Sequence, residues 1–395
     1  MGLAPTSKQI NAMKIKNVNA HLIRVPLKVK IWTAQESISD VSCLLVEIET
    51  DNELRGVGQV AGPNLNLVRD YVQQFSKIIK GMDARSSTVI WEKLFSLTSP
   101  RPYGVDAKDG LPPPLSRADR LQITAAIGGI DNALWDIKGK AANMPVFRLL
   151  GGESSRIPVY ATGGFLKQGA SITACAGELK AFIDEGYTAV KLKVGHYTME
   201  EEVERVKASR EAIGDAMLML DMNACYDLNE CIRFAKAVEP FNLTWLEEPL
   251  HWYLQPSDFA KLAEGTSVPL AHGERLYDRF TARDFIENGG IKFIQMDSTR
   301  HSGITEHLRI AHMAEQNGIF IAPHLAPEIH GHLVSAFPRV GFIAESYGDP
   351  DSNPLWYGGL FSKKPEIKSG YLHLNESAGF GCDINWDFVD KYRVN

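Results

Sequence analysis

Eight short apolar runs between Val159 and Tyr347 recur about one helix apart, and seven of them end in a charged or metal-capable side chain. They close on Lys191 and Lys193 (AVKLKVG), Asp221 (LMLDMN), Glu247 (TWLEEP), Glu274 (PLAHGE), Asp297 (IKFIQMD), His324 (IFIAPH) and Glu345 (FIAESYG). From Lys193 onward these ends lie 28, 26, 27, 23, 27 and 21 residues apart. Helical segments fill the gaps: TACAGELKAFIDEG, EEVERVKASREAIG, NECIRFAKAVEP, PSDFAKLAEG, RFTARDFIENG, TEHLRIAHMAEQNG and a weaker PEIHGHLVSAF. Strict strand–helix alternation specifies a parallel sheet, and eight strands suggest closure into a barrel. A barrel of this kind keeps its chemistry at the C-terminal ends of its strands, where the polar residues fall. The pattern predicts an enzyme.

A chain of 395 residues exceeds one ordinary core, so more than one domain is expected. Residues 13–61 read as strands turning at Asp51-Asn52, and residues 66–98 as helices. Residues 120–144 form a long buried helix with apolar residues at helical spacing. The expected architecture is α/β, a modified TIM barrel (β/α)7β behind an N-terminal α+β capping domain. Its divisions are residues 1–145 for the cap (1–12 a flexible tail), 146–350 for the barrel, and 351–395 for a segment returning to the cap. Between the cap helices, the Pro-rich stretch Ser99–Arg117 reads as a loop long enough to close over the barrel mouth as a lid.

The net charge of −6 and the lack of a basic run argue against nucleic acid as a partner. No apolar stretch approaches the ~20 residues a bilayer span needs, so no membrane partner is expected. Five scattered cysteines suit a reducing, cytoplasmic setting better than a disulfide framework. The start fits a loose myristoylation pattern through Thr6, with nothing else to support a membrane anchor.

Side chains two apart on a strand share a face, so Lys191 and Lys193 both point into the barrel mouth. Crowding by a second cation would lower a lysine from ~10.4 toward ~7–8, a useful range for a general base. Asp221, Glu247 and Glu274 end consecutive strands, and adjacent strands lie ~4.8 Å apart, so the carboxylates are expected to converge. An all-oxygen set favours Mg²⁺, with Mn²⁺ a possible substitute. Alternation alone leaves open whether Glu247 or Glu248 faces inward. Asn223 shares the face of Asp221 and could support it or contact substrate. Asp297 and His324 end neighbouring strands, and a carboxylate on one ring nitrogen would set the basicity of the other. His330 and His332 offer a rival zinc cluster with His324. No G-x-G-x-x-G, P-loop, G-x-S-x-G or H-E-x-x-H motif occurs.

Taken together, K-x-K, D-x-N, E-E-P, G-E, D, P-H and E on successive strands resemble the enolase superfamily, in its mandelate racemase subgroup. The segment TAAIGGIDNALWDIKGKAANMPVFRLLGG is similar to that family's link from cap to barrel. Active sites of that superfamily set a Lys or His base beside Mg²⁺. The resemblance implies that Asp221, Glu247 and Glu274 bind Mg²⁺, with Lys193 the base on one substrate face and Lys191 near the carboxylate. It implies that His324, oriented by Asp297, serves the other face, and that Glu345 hydrogen-bonds the developing enolate oxygen. The implied activity is dehydration of an aldonate or aldarate to a 2-keto-3-deoxy acid, with racemisation or epimerisation of a 2-hydroxy acid as the alternative. A small carboxylate substrate and a homo-oligomer are implied partners. Arg300 departs from the lysine that relatives often carry. A Schiff-base aldolase using Lys191 or Lys193, and a sugar-acid-binding protein, are the readings from other classes. Substrate choice is expected to lie in Lys28–Ser39 and the 99–117 loop.

Overall fold

The computed structural model describes residues 12–62, 64–99, 115–348 and 359–394. The first three strands, β1 (Ile15–Trp32), β2 (Ser37–Thr50) and β3 (Arg55–Val60), form an antiparallel sheet in the order β3-β2-β1. Helices α1 (Leu65–Ile79), α2 (Ser87–Ser96) and α3 (Arg120–Ala142) bury one face of it through Leu44, Val46, Phe75, Trp91, Ile127 and Leu134. The close contact between α3 and β3 depends on glycine. A Cβ at Gly58 would stand 2.1 Å from the Gly129 carbonyl oxygen, and one at Gly56 2.3 Å from that of Ala133.

After α4 (Val146–Leu149), strand and helix alternate. The chain runs β4 (Arg156–Gly163), β5 (Leu166–Lys167), α5 (Ala174–Asp184), β6 (Ala189–Lys193), α6 (Met199–Ile213), β7 (Met217–Asp221), α7 (Leu228–Val238) and β8 (Leu243–Glu247). It continues through α8 (Pro256–Gly265), β9 (Leu270–His272), α9 (Arg279–Asn288), β10 (Phe293–Ile294), α10 (Gly303–Gln316), β11 (Phe320–Ile321), α11 (Pro327–Ala336) and β12 (Ala344–Ser346). The parallel order is β11-β10-β9-β8-β7-β6-β4, with β12 on the free edge of β4. The gap between β11 and β12 is closed by Phe342 N–H donating to Ile321 O at 2.8 Å and Ile321 N–H to Val340 O at 2.7 Å. The expected barrel is present, with all eight strands at the apolar runs.

Two stitches hold the cap over the mouth. Strand β5 leaves the barrel to pair with the far end of β1, Trp32 opposite Leu166. On α3, Asp131 accepts from Thr305 N (2.7 Å) and Oγ1 (2.6 Å), and Asn132 accepts from Ile304 N (3.1 Å), so one helix satisfies the first amides of another. Lys28–Ser39, where substrate choice is expected to lie, is a β-hairpin: Ile31 pairs with Ile38 and Trp32 with Ser37. Its tip reaches the barrel, where Gln35 Nε2 donates to Ala224 O at 2.9 Å.

Beyond residue 358 the chain adds β13 (Phe361–Lys363), β14 (Glu366–Lys368), β15 (Tyr371–His373), β16 (Asp383–Ile384) and α12 (Trp386–Tyr392). Strand β15 pairs antiparallel with the start of β4. Leu360 and Val389, the latter on α12, pack on the second face of the cap sheet, against Ile23, Cys43 and Leu45. Most of the 99–117 lid falls in 100–114, outside the described residues. Among the described residues, no helix is long and apolar enough to cross a membrane.

Candidate active site

The barrel interior is built in layers. The lowest is apolar, one residue from each strand or its immediate end: Tyr160, Ala189, Met219, Trp245, Ala271, Phe293, Ala322 and Ile343. Moving two residues along each strand keeps the inward face. That step gives Thr162, Lys191, Asp221, Glu247, Gly273, Gln295, His324 and Glu345. Charge therefore rests directly on a dry floor, and Lys191 and Asp221 are fully buried.

Lys191 is the centre of one half. Its Nζ lies 2.5 Å from Glu247 Oε1, 2.8 Å from Glu345 Oε1, 3.7 Å from Asp221 Oδ2 and 3.3 Å from the Tyr160 hydroxyl. Lys193, one layer higher, pairs with Asp221 Oδ2. The expectation that two neighbouring lysines depress each other fails for Lys191. Burial lowers its pKa, but Glu247, Glu345 and Asp221 outweigh burial and hold it well above the usual range. Three carboxylates share two lysines here. Burial, countered by Lys191 and reinforced by Asp221 and Glu345, pushes Glu247 up to about 8.

Glu247, rather than Glu248, faces inward. Its Oε2 accepts from Trp245 Nε1 at 3.0 Å and Gln295 Nε2 at 2.7 Å. Glu248 turns aside with φ of 41° and lies against His272 Nδ1 (3.0 Å) and Arg275 Nε (3.6 Å). Asn223, at φ 45°, donates its backbone N–H to Asp221 Oδ1 at 2.9 Å, and its own Oδ1 is buried with no partner.

The other half holds the dyad. His324 Nδ1 lies 2.8 Å from Asp297 Oδ2, and its Nε2 lies 3.0 Å from Glu274 Oε2. Asp297 Oδ1 accepts from Thr299 N (2.8 Å), Thr299 Oγ1 (2.6 Å) and Arg300 N (3.2 Å), which fixes the carboxylate plane. Burial disfavours charge on His324, but the Glu274 carboxylate and the hydrogen bonds to Asp297 and Glu274 outweigh it and raise the ring to about 9. Arg300 Nη1 sits 3.4 Å from Glu274 Oε1 and its Nε 3.8 Å from Asp297 Oδ2.

The carboxylates Asp221, Glu247 and Glu274 end adjacent strands, and among the described residues they do not stand as a ready-made three-ligand cluster. Each carboxylate is taken up by a neighbouring cation instead: Asp221 by Lys193, Glu247 by Lys191, Glu274 by His324 and Arg300. Glu345 is fixed by three neighbours. Its Oε1 takes Thr162 Oγ1 (2.6 Å) and Lys191, its Oε2 takes Leu325 N (3.0 Å), and it is held down to about 2, with Lys191 the largest influence opposing burial. The zinc cluster is absent because both other histidines are structural. His330 bonds Ser298 N at 3.0 Å and Leu325 O at 2.6 Å, and His332 bonds Phe147 N at 3.0 Å and Phe380 O at 3.2 Å.

A divalent cation fits Asp221, Glu247 and Glu274 once the neighbouring cations give way. The donors are all carboxylate oxygen, Asp221 and Glu247 are direct register partners, and Asn223, whose Nδ2 lies 3.5 Å from Asp221 Oδ2, keeps a buried Oδ1 with no partner among the described residues. The buried carboxylates also exceed the lysines among them. Side chains the sequence reading missed are Tyr160, Thr162, Gln295 and Tyr347, whose ring lies 5.9 Å from that of Phe165.

Residues 174–388 match the family described as Enolase C-terminal domain-like, and residues 14–151 the mandelate racemase/muconate lactonizing enzyme N-terminal domain. L-talarate/galactarate dehydratase of Salmonella typhimurium is 34% identical over 265 residues, 66% of this chain and 63% of that protein. D-galactarolactone cycloisomerase of Agrobacterium fabrum is 29% identical over 97% of this chain and 99% of its own. The crystal structure of the Salmonella dehydratase liganded with Mg and L-lyxarohydroxamate superposes with a TM-score of 0.85 at 27% identity, covering 100% of this chain and 96% of that one.

Proposed function

This chain belongs to the mandelate racemase/muconate lactonizing enzyme family of the enolase superfamily, and from that premise we propose that it is a Mg²⁺-dependent dehydratase of a sugar acid. The observation that carries the reading is the division of the mouth into two proton-handling halves. Lys193 stands on β6 beside Asp221, and the His324–Asp297 dyad stands between β10 and β11.

A proton next to a carboxylate is a very weak acid, and its removal places a second negative charge on the substrate. Mg²⁺ held by Asp221, Glu247 and Glu274 would supply Lewis-acid stabilisation of that charge, worth several kcal/mol. The chain's own residues do the rest. Lys191, buried and cationic, adds a fixed positive charge at the layer below the reacting carboxylate. Lys193 Nζ receives the α-proton, for which it must first be neutral. His324 Nε2 delivers a proton to the departing β-hydroxyl, while Asp297 holds Nδ1 and keeps the ring oriented. Gln295 and Trp245 fix Glu247, and Glu345 fixes Lys191. The enol left by loss of water becomes a 2-keto-3-deoxy acid.

A protonated His324 can deliver its proton to the departing β-hydroxyl, giving elimination, or to the α-carbon from the opposite face, giving the epimer, so the product formed distinguishes the two outcomes. Incubation with a panel of aldonic and aldaric acids and Mg²⁺, read as 2-keto product, tests the assignment. Absence of that product across the panel, with the metal-loaded protein folded, would remove it.

A further inference from the structure

The dyad demands a 2.8 Å contact between side chains on two different strands, at a level where those strands no longer hold each other. Strands β10 and β11 pair only through Phe293 with Phe320 and Ile294 with Ile321. The last bond of that ladder is Ala322 N–H to Ile294 O at 3.1 Å. Among the described residues, no backbone–backbone hydrogen bond joins the two chains beyond it. Carried onward, the same register sets Asp297 opposite His324 and Ser298 opposite Leu325.

The fully buried ring of His330, on α11, bridges that next pair. Ser298 N–H (3.0 Å) and Ser298 Oγ (2.8 Å) both reach its Nε2, and its Nδ1 lies 2.6 Å from Leu325 O. A backbone N–H can only donate and a carbonyl can only accept, so the contacts fix a neutral ring with its proton on Nδ1. Burial agrees, pushing the ring below the ordinary histidine value against the pull of Asp297. Leu325 and Ala326, at φ of 53° and 41°, turn the chain out of β11 so that α11 brings the ring back to Leu325. Asn132 Nδ2 on α3 donates to Ser298 O at 3.0 Å, and Leu325 N–H donates to Glu345 Oε2 at 3.0 Å. Both residues that follow the dyad are thus held at each main-chain end, and His330 is the side chain common to the two.

We infer that His330 is a positioning residue for the Asp297–His324 dyad. It touches no reacting atom; by clamping Ser298 to Leu325 it takes the place of the missing ladder bond and keeps the two side chains aligned. Its effect on turnover rests on the sugar-acid reading above, and its effect on the dyad contact does not. Proton transfer is sensitive to such alignment, a misplacement of about 1 Å costing on the order of 10²-fold. Lys193, paired with Asp221 on the other side of the mouth, lies outside this bridge, so removal of the α-proton is spared.

Two variants each cut one arm of the bridge. His330→Gln keeps an acceptor for Ser298 N–H and loses the Leu325 bond, and His330→Asn keeps a donor for Leu325 O and loses the Ser298 bond. In at least one of them, folded and Mg²⁺-loaded, kcat for dehydration should fall about tenfold to hundredfold with KM within about threefold. Exchange of the substrate α-proton with D₂O should stay within about threefold of wild type, a split that general loosening of the barrel would not produce. The crystal structure of that variant should show His324 Nδ1 and Asp297 Oδ2 about 3.5 Å or more apart, beyond hydrogen-bond reach. Wild-type kcat in both variants, equal loss of exchange and dehydration, or an unchanged dyad contact where dehydration has fallen overturns the inference. If the wild type gives no 2-keto product from any acid, the dehydratase reading falls, and the dyad contact in the variant crystals still decides on His330. Should neither variant fold, a neutron structure of the wild type decides: deuterium on His330 Nδ1 and none on Nε2 supports the bridge, and deuterium on Nε2 removes it.

Discussion

Replacing Asp297 by Asn isolates the orientation of His324 from the shape of the site. Asp297 Oδ1 accepts three donors, from Thr299 N, Thr299 Oγ1 and Arg300 N, and only an acceptor can stand there. The amide oxygen of Asn must occupy that position, which turns its NH₂ toward His324 Nδ1. The ring nitrogen that now lies 2.8 Å from a carboxylate oxygen would face a donor, and the favoured tautomer would invert. A hydrogen bond to a charged group contributes about 1.5–3 kcal/mol, and a wrong tautomer adds to the loss. We expect kcat to fall roughly 10²–10³-fold, with KM within about threefold and folding stability within about 1.5 kcal/mol. The sign of the pH effect follows from the raised His324 value of about 9: the acid form is present below it and is lost as pH rises through it. Without Asp297 the alkaline limb of kcat should move to lower pH. The assay is 2-keto product formation across pH, with melting temperature as the control. Wild-type kcat and an unmoved alkaline limb in a folded Asp297→Asn protein would refute the dyad.

Chelation with EDTA should abolish turnover and added Mg²⁺ restore it, and Glu247→Gln should lose Mg²⁺ binding by calorimetry without unfolding; full activity in metal-free protein would contradict the carboxylate assignment. His324→Asn should block dehydration yet still exchange the substrate α-proton with D₂O, whereas Lys193→Ala should lose exchange, and the reverse pattern would swap the two roles. Gly58→Ala places a Cβ 2.1 Å from the Gly129 oxygen and should destabilise the cap by about 3 kcal/mol or more, read as a lower melting temperature; an unchanged value would show that α3 can shift away freely.

The barrel was legible because its signal is periodic: a strand must be apolar on the face that meets the helices, and Val190, Leu192 and Val194 alternate with Lys191 and Lys193. The same two-residue step, followed inward from each strand end, would also have reached Thr162 and Gln295. Those residues went unread because a neutral polar group at a strand end carries no charge to attract notice. Other features were not legible for physical reasons. Which carboxylate pairs with which cation depends on distances between strands, and Glu274 could as well have faced Glu247 as His324. His330 and His332 are decided by Ser298, Leu325, Phe147 and Phe380, partners 32, 5, 185 and 48 residues away. The hairpin at Lys28–Ser39 was hidden because Lys28 and Lys30 alternate with Val29 and Ile31 in a strand too polar to announce a core.

The central claim is that this barrel removes an α-proton and then expels the β-hydroxyl. The direct measurement is turnover of an accepted sugar acid by the Mg²⁺-loaded protein in D₂O, followed by NMR of product and residual substrate. Dehydration predicts a 2-keto-3-deoxy acid with deuterium at C3, where the enol is protonated from solvent. Recovery of the starting acid inverted and deuterated at C2, with no keto product, would contradict it.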